Sequence, residues 1–193
     1  MDKTKLYHLV EKERNFLHSL DKKIDIDPFN EWLTEQMNLS FDEPDFQMHY
    51  FYQINKLLHD FFHKNPLNHW VFDSNDYDEN KRHLLCQRLF DFNDHCLKMV
   101  DSFNGDGRTL MILKPFIFEF LKNLSSSGLK YALQQISNEH FQELWCGGGR
   151  YINSKESIGA TYTKNLSINN NHYYAYFKVL HECGADINAI NKG

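Results

Sequence analysis

Apolar residues recur at three- and four-residue spacing along most of the chain. Leu6, Leu9, Val10, Phe16, Leu17 and Leu20 mark a first helix within residues 4–20. In "DPFNEWLTEQM" Asp27 suits an N-cap and Pro28 the first helical position, where its missing N–H costs nothing. "DEPDF" at 42–46 offers a similar start to a longer helix. Its stripe is Tyr50, Phe51, Ile54, Leu57, Leu58, Phe61 and Phe62, with Asn55, Lys56, His59, Asp60 and His63 on the other face. Asp76 and Glu79 in "NDYDEN" stand at capping-box spacing ahead of Leu85, Leu89, Phe92, Cys96, Val100 and Phe103. After "NGDG", Leu110, Leu113, Ile117, Phe120, Leu121 and Leu124 form another stripe, whose helix Pro115 either kinks or delays. "NLSSSG" is a joint of small residues. Sustained period-2 alternation occurs nowhere, so the pattern predicts an all-α chain with no sheet.

The last third repeats itself. "GRYINSKESIG" (149–159) laid over "GADINAINKG" (184–193) places Gly149, Ile152 and Asn153 on Gly184, Ile187 and Asn188, an offset of 35. A short helical stretch precedes each copy, "EHFQELWCGG" and "YYAYFKVLHEC". The segment "KVLHECGADINAINKG" resembles the end of an ankyrin repeat, a helix closing in L-L-x-x-G-A-D-V-N-A followed by a hairpin. "SIGAT" at 157–161 resembles the G-x-T that opens the next repeat, although Tyr162, Thr163 and Lys164 replace the usual residues after Thr161. The resemblance implies two divergent repeats, about 127–159 and 160–193, and divides the chain into a helical domain over 1–125 and ankyrin-like repeats over 126–193. A repeat buries its faces only against neighbours. The N-terminal bundle is therefore expected to cap the first repeat, and the chain to continue beyond Gly193 in a longer protein.

What the resemblance implies about function is recognition of a partner protein by the hairpin tips and the concave face. On this chain those positions are Tyr151, Ser154, Lys155 and Glu156 in one hairpin, Asp186, Ile190 and Asn191 in the next, and Tyr162 and Lys164 near the inner helix. Exposed tyrosines make good anchors because they bring large contact area at low entropic cost.

Charge narrows the partners. The net charge is −5, with +2 on residues 149–193 and −7 on the remainder. No basic run exists to release counterions from a phosphate backbone, so nucleic acid and anionic membrane are disfavoured. No stretch approaches the roughly 18 apolar residues of a membrane span. The four cysteines, Cys86, Cys96, Cys146 and Cys183, are scattered without a CxxC pair, which reads as reduced thiols of an intracellular monomer. A divergent helical domain joined to ankyrin-like repeats resembles the effectors that intracellular bacteria deliver into eukaryotic cells, which implies a host protein as partner and the host cytosol as the place of action.

Several groups carry candidate chemistry. His59 and His63 in "HDFFH" have the i, i+4 spacing of metal ligands, but they lack the intervening glutamate of a metalloprotease and an identifiable third ligand, so solvated polar-face histidines and no metal are expected. "DSFNGDGRTLMIL" resembles the core motif of Fic-domain nucleotidyl transferases, H-x-F-x-x-G-N-G-R-x-x-R, at Phe103, Gly105, Gly107 and Arg108. Asp101 stands where the proton-abstracting histidine belongs, Met111 replaces the second arginine, and the glycine spacing is one residue short. A thiol hydrolase using Cys146, with His172 or His181 as base and Asp186 to orient it, is the other enzymatic alternative. "CGGGR" lacks the lysine and hydroxyl of a P-loop. The reading is thus a binding module without a cofactor, with enzymatic chemistry at Cys146 or Arg108 as the alternative.

Overall fold

The stripes become helices, several of them bounded by a recognisable local device. A computed structural model describes residues 1–20, 26–64, 78–104, 111–154, 156–165 and 171–186. It gives α1 (Lys3–Ser19), α2 (Ile26–Asn38), α3 (Pro44–Lys64), α4 (Glu79–Asn104), α5 (Phe116–Lys122), α6 (Ser126–Leu133), α7 (Asn138–Cys146), α8 (Ile158–Asn165) and α9 (Asn171–Glu182). A single 3-10 turn over Gly149–Tyr151 interrupts the connection between α7 and α8. The described residues contain no strand, and the protein is all-α.

Caps set the boundaries. Asp2 accepts from Lys5 N at 3.0 Å to open α1, and α3 begins on Pro44 as its position favours. At α4 the capping carboxylate is Asp78, which accepts from Asn80 N at 2.8 Å and Lys81 N at 3.4 Å; Asp76 lies outside the described residues. Pro115 occupies the N-cap of α5 and delays that helix to Phe116, leaving 111–115 non-helical. Ser125 and Ser137 cap α6 and α7 through Gly128 N and His140 N, both at 3.1 Å.

The core is aromatic. In α3 the whole stripe from Tyr50 to Phe62 is buried, and in α4 so are Leu85, Leu89, Phe92, Cys96 and Val100. Phe62 lies 5.2 Å from Phe120 and 5.9 Å from Phe116, and Phe92 lies 6.2 Å from both Phe116 and Phe51, centroid to centroid. Such tilted and offset contacts match the ring quadrupoles while burying large areas. α4 packs against α2 and α3, and α3 also carries α1 and α5. In the C-terminal part α7 lies against α8 and α6 against α9, while the 3-10 turn meets both α7 and α4.

Several polar groups of this core are partnered, although Asn30 Oδ1, Asn93 Oδ1 and His95 Nε2 have no hydrogen-bond partner among the described residues. Trp32 Nε1 donates to Glu13 at 2.6 Å, and Tyr50 Oη donates to Gln36 at 2.8 Å. Asn55, expected on the solvent face, is buried instead. Its amide donates to Lys114 O at 2.7 Å and accepts from Phe116 N at 3.1 Å, supplying the backbone partners that the stretch before α5 lacks. All four cysteines are free thiols. Burial pushes the Cys86 thiol up to about 12 and that of Cys96 higher still, which keeps both protonated and unreactive. Among the described residues no helix is long and apolar enough to cross a membrane.

Candidate functional site

A dense polar cluster forms where the α7–α8 connection folds back on α4. α7 ends at Gly147 in the left-handed region (φ 74°), its N–H bonded to Glu143 O at 2.9 Å. A Cβ at Gly147 would sit 2.9 Å from Glu156 O, so the turn requires glycine there. Gly149 (φ 53°) is confined as well, because a Cβ there would run into the Glu143 side chain, whereas Gly148 faces open space. The glycine run therefore reverses the chain within three residues and returns Arg150 to the helix it has just left.

Arg150 is then held from two sides. Its Nε donates to Glu143 Oε2 at 2.5 Å and its Nη1 to Asp94 Oδ2 at 2.5 Å, which ties α7 to α4 through one planar guanidinium. The same Nη1 donates to His140 Nδ1 at 3.4 Å, an arrangement that leaves the imidazole proton on Nε2. That nitrogen lies 2.7 Å from Tyr151 Oη and 4.0 Å from Asp94 Oδ1. Asn93 Nδ2 donates to Tyr151 Oη at 3.2 Å and completes the set.

Electrostatics follow from this burial. His140 is pushed down to about 4, first by burial and then by the adjacent guanidinium, so the ring is neutral at pH 7. Burial also raises the Asp94 carboxyl, against which Arg150 acts, and drives the Tyr151 phenol well above its ordinary range. Beside the cluster a recess of about 300 Å³ opens between Asp94, Lys98 and Asp101 of α4 and Glu143 and Arg150. Its arginine is saturated by two carboxylates and its histidine is engaged at both nitrogens. The arrangement holds a loop in place, and it leaves Asp94 Oδ1 without a hydrogen-bond partner among the described residues, beside the recess.

This geometry corrects the surface assigned from sequence. Tyr151 is fully buried, stacked on His140 and edge-on to Phe118, and cannot be an exposed anchor. Ser154 is buried too, its hydroxyl donating to Tyr151 O at 2.7 Å and accepting from Glu156 N at 3.2 Å to close the turn. Tyr162 is buried with its ring 5.6 Å from Tyr176. Tyr151 and Ser154 are buried because the α7–α8 connection packs inward on α4, whereas Tyr162, in α8, packs against α9. Glu156 is half-buried, with its carboxyl raised by burial, and Asp186 is exposed, its backbone carbonyl accepting from Trp145 Nε1 at 3.0 Å. Lys155, Ile190 and Asn191 lie outside the described residues; Lys164 is in α8, but its side chain is not among those described.

Comparison of the chain with protein-family models, curated proteins and solved structures finds no match. Function must be argued from its own residues.

The candidate catalytic groups are only partly among the described residues. Cys146 is exposed at the end of α7 and His181 is exposed on α9; the side chain of His172 lies outside the described ones. Arg108, Gly105 and Gly107 also lie outside the described residues, while Asp101 accepts from Asn153 Nδ2 at 3.0 Å. His59 Nε2 and His63 Nδ1 approach opposite oxygens of Glu119 at 3.8 and 3.3 Å. Among the described residues no group of three His, Cys, Asp or Glu side chains is arranged to hold a metal ion. The cluster itself went unseen in the sequence, although one signal was present. Asn93 falls between Leu89 and Cys96 at core spacing, a polar residue on an otherwise apolar stripe.

Proposed function

We propose that the chain is a protein-recognition module, ankyrin-like in its C-terminal sequence, whose partner is read by the outer face of α9. The observation that carries this is Tyr174, 77% exposed on a helix whose opposite side is committed to the core through Val179 and Leu180. Lys178 and His181, four and seven residues further on, share its exposed face. The helix is firmly seated, with Tyr176 Oη donating to Leu124 O at 2.6 Å and Lys130 paired with Glu182 at 3.0 Å. A tyrosine so placed offers a large amphipathic contact on a rigid element. The resemblance at 178–186 supports a protein partner. A left-handed glycine follows both α7 and α9, Gly147 and Gly184 (φ 97°).

The reading moves the binding surface. Because α6 lies against α9 and α7 against α8, with the intervening hairpin folded onto α4, the contact face is assigned to α9 and not to the hairpin around Tyr151. The test is a photo-crosslinking side chain at position 174, with position 35, an exposed position of α2, as control. A defined adduct from 174 that is absent from 35 and is lost on Lys178→Glu supports the proposal. Equal labelling from both positions, or none from 174, overturns it.

A further inference from the structure

A second concavity, far from the Arg150 cluster in chain position, lies between α3 and the extended segment 111–115. Its volume is about 470 Å³, within the range of small-molecule sites. One wall is apolar: half-buried Tyr52, buried Leu113, and Ile112, which leaves 40% of its surface in water. The other wall and rim carry Lys56 and Lys114. Both lysines are exposed, and neither has a carboxylate within ion-pair distance among the described residues; Lys114 influences Glu156 only from further away. Of the acids nearby, Glu119 is shared by His59, His63 and Lys122, while Asp60 stands 3.8 Å from His59 Nδ1, a pairing that carries charge only when the imidazole is protonated.

The groove is preformed. Asn55 pins the segment to α3 by taking both Lys114 O and Phe116 N, so the apolar wall is held open without a ligand to order it. We propose that this groove binds a small carboxylate with an apolar body, the body lying on Tyr52, Ile112 and Leu113 and the carboxylate accepting from Lys56 and Lys114. Two ammonium groups with no carboxylate at ion-pair distance among the described residues, beside an exposed isoleucine, call for an anionic head on an apolar frame. Asp60 on the same rim disfavours a dianion and so selects a carboxylate over a phosphate. The inference does not involve α9 and stands or falls apart from the recognition surface there.

The test is titration of the isotopically labelled full chain with 4-phenylbutyrate, followed by amide NMR. Saturable shifts at Ile112, Leu113, Lys114 and Lys56 are expected. The neutral 4-phenylbutanamide is expected to bind about 10-fold more weakly, and Lys56→Ala and Lys114→Ala each to weaken the acid by a similar factor. Ile112→Ser should weaken acid and amide alike. All three substitutions are at exposed side chains, and an unchanged spectrum elsewhere confirms the fold. No saturable shift at millimolar acid, equal binding of acid and amide, insensitivity to both lysine substitutions, or tighter binding of 4-phenylbutyl phosphate would overturn the proposal.

Discussion

Arg150 Nη1 lies 2.5 Å from Asp94 Oδ2, joining residues 56 positions apart in sequence and fastening the α7–α8 connection to the middle of α4. The same guanidinium reaches Glu143 through Nε, so one side chain closes two loops at once. Geometry of this kind depends on a planar fork. Arg150→Lys keeps the charge but offers a single point donor, and it is expected to lose about 1–2 kcal/mol of stability in urea denaturation. Full retention of stability in the lysine variant would show that charge alone suffices.

The glycine run separates backbone need from composition. Gly147→Ala forces an alanine into the left-handed region against Glu156 O and should cost about 1–2 kcal/mol or more. Gly149→Ala meets the Glu143 side chain and should loosen its bond to Arg150. Gly148→Ala, in open space with φ −98°, should be near neutral. Thermal melts of the three variants check the order; equal effects at 147 and 148 would contradict the turn geometry.

Tyr151→Phe removes only the hydroxyl that meets His140 and Asn93. Since the ring is fully buried, the change strands two polar partners and should cost about 1–3 kcal/mol. An exposed tyrosine would tolerate it within about 0.5 kcal/mol.

Stability should also fall in mild acid. His140 titrates at its ordinary value near 6.5 in the unfolded chain but at about 4 when folded, so the unfolded state binds the extra proton between those values. Stability is therefore lost as pH drops from about 6.5 to 4, at up to about 1.4 kcal/mol per pH unit for this one group. Asp94 works in the opposite sense. Its raised folded value makes the native state take up its proton first, and this partly offsets the loss as pH falls from that value through the ordinary carboxylate range. Urea melts across this pH range should show a slope that His140→Gln flattens; an unchanged slope would place the titrating group elsewhere.

Much of the fold was legible because helical periodicity is a local property. The stripes Tyr50–Phe62 and Leu85–Val100 were read from spacing alone, and both are buried. Pro115 left two outcomes open, and the chain took the delayed start because Asn55 was available to pair the free backbone of Lys114 and Phe116. That pairing spans about 60 residues and leaves no local trace, so Asn55 read as a solvent-face residue. Tyr151 misled for a similar reason. A glycine-rich turn followed by tyrosine looks like an outward hairpin unless the acceptors on α4 are known, and Asp94 and Asn93 are far away in sequence. The solvent-facing Tyr174 carries no local signal because its stretch, "YYAYF", is aromatic at every position but Ala175 and gives no indication of which ring faces water.

The α7–α8 connection is clamped inward on α4. The most direct measurement is a double-mutant cycle between Asp94→Asn and Arg150→Met, read by urea denaturation at pH 7. A clamp predicts that the second substitution costs far less once the first is made, with a coupling energy of about 1–3 kcal/mol. Additive effects, with coupling below about 0.3 kcal/mol, would mean that the two side chains do not meet and that the connection is free of α4.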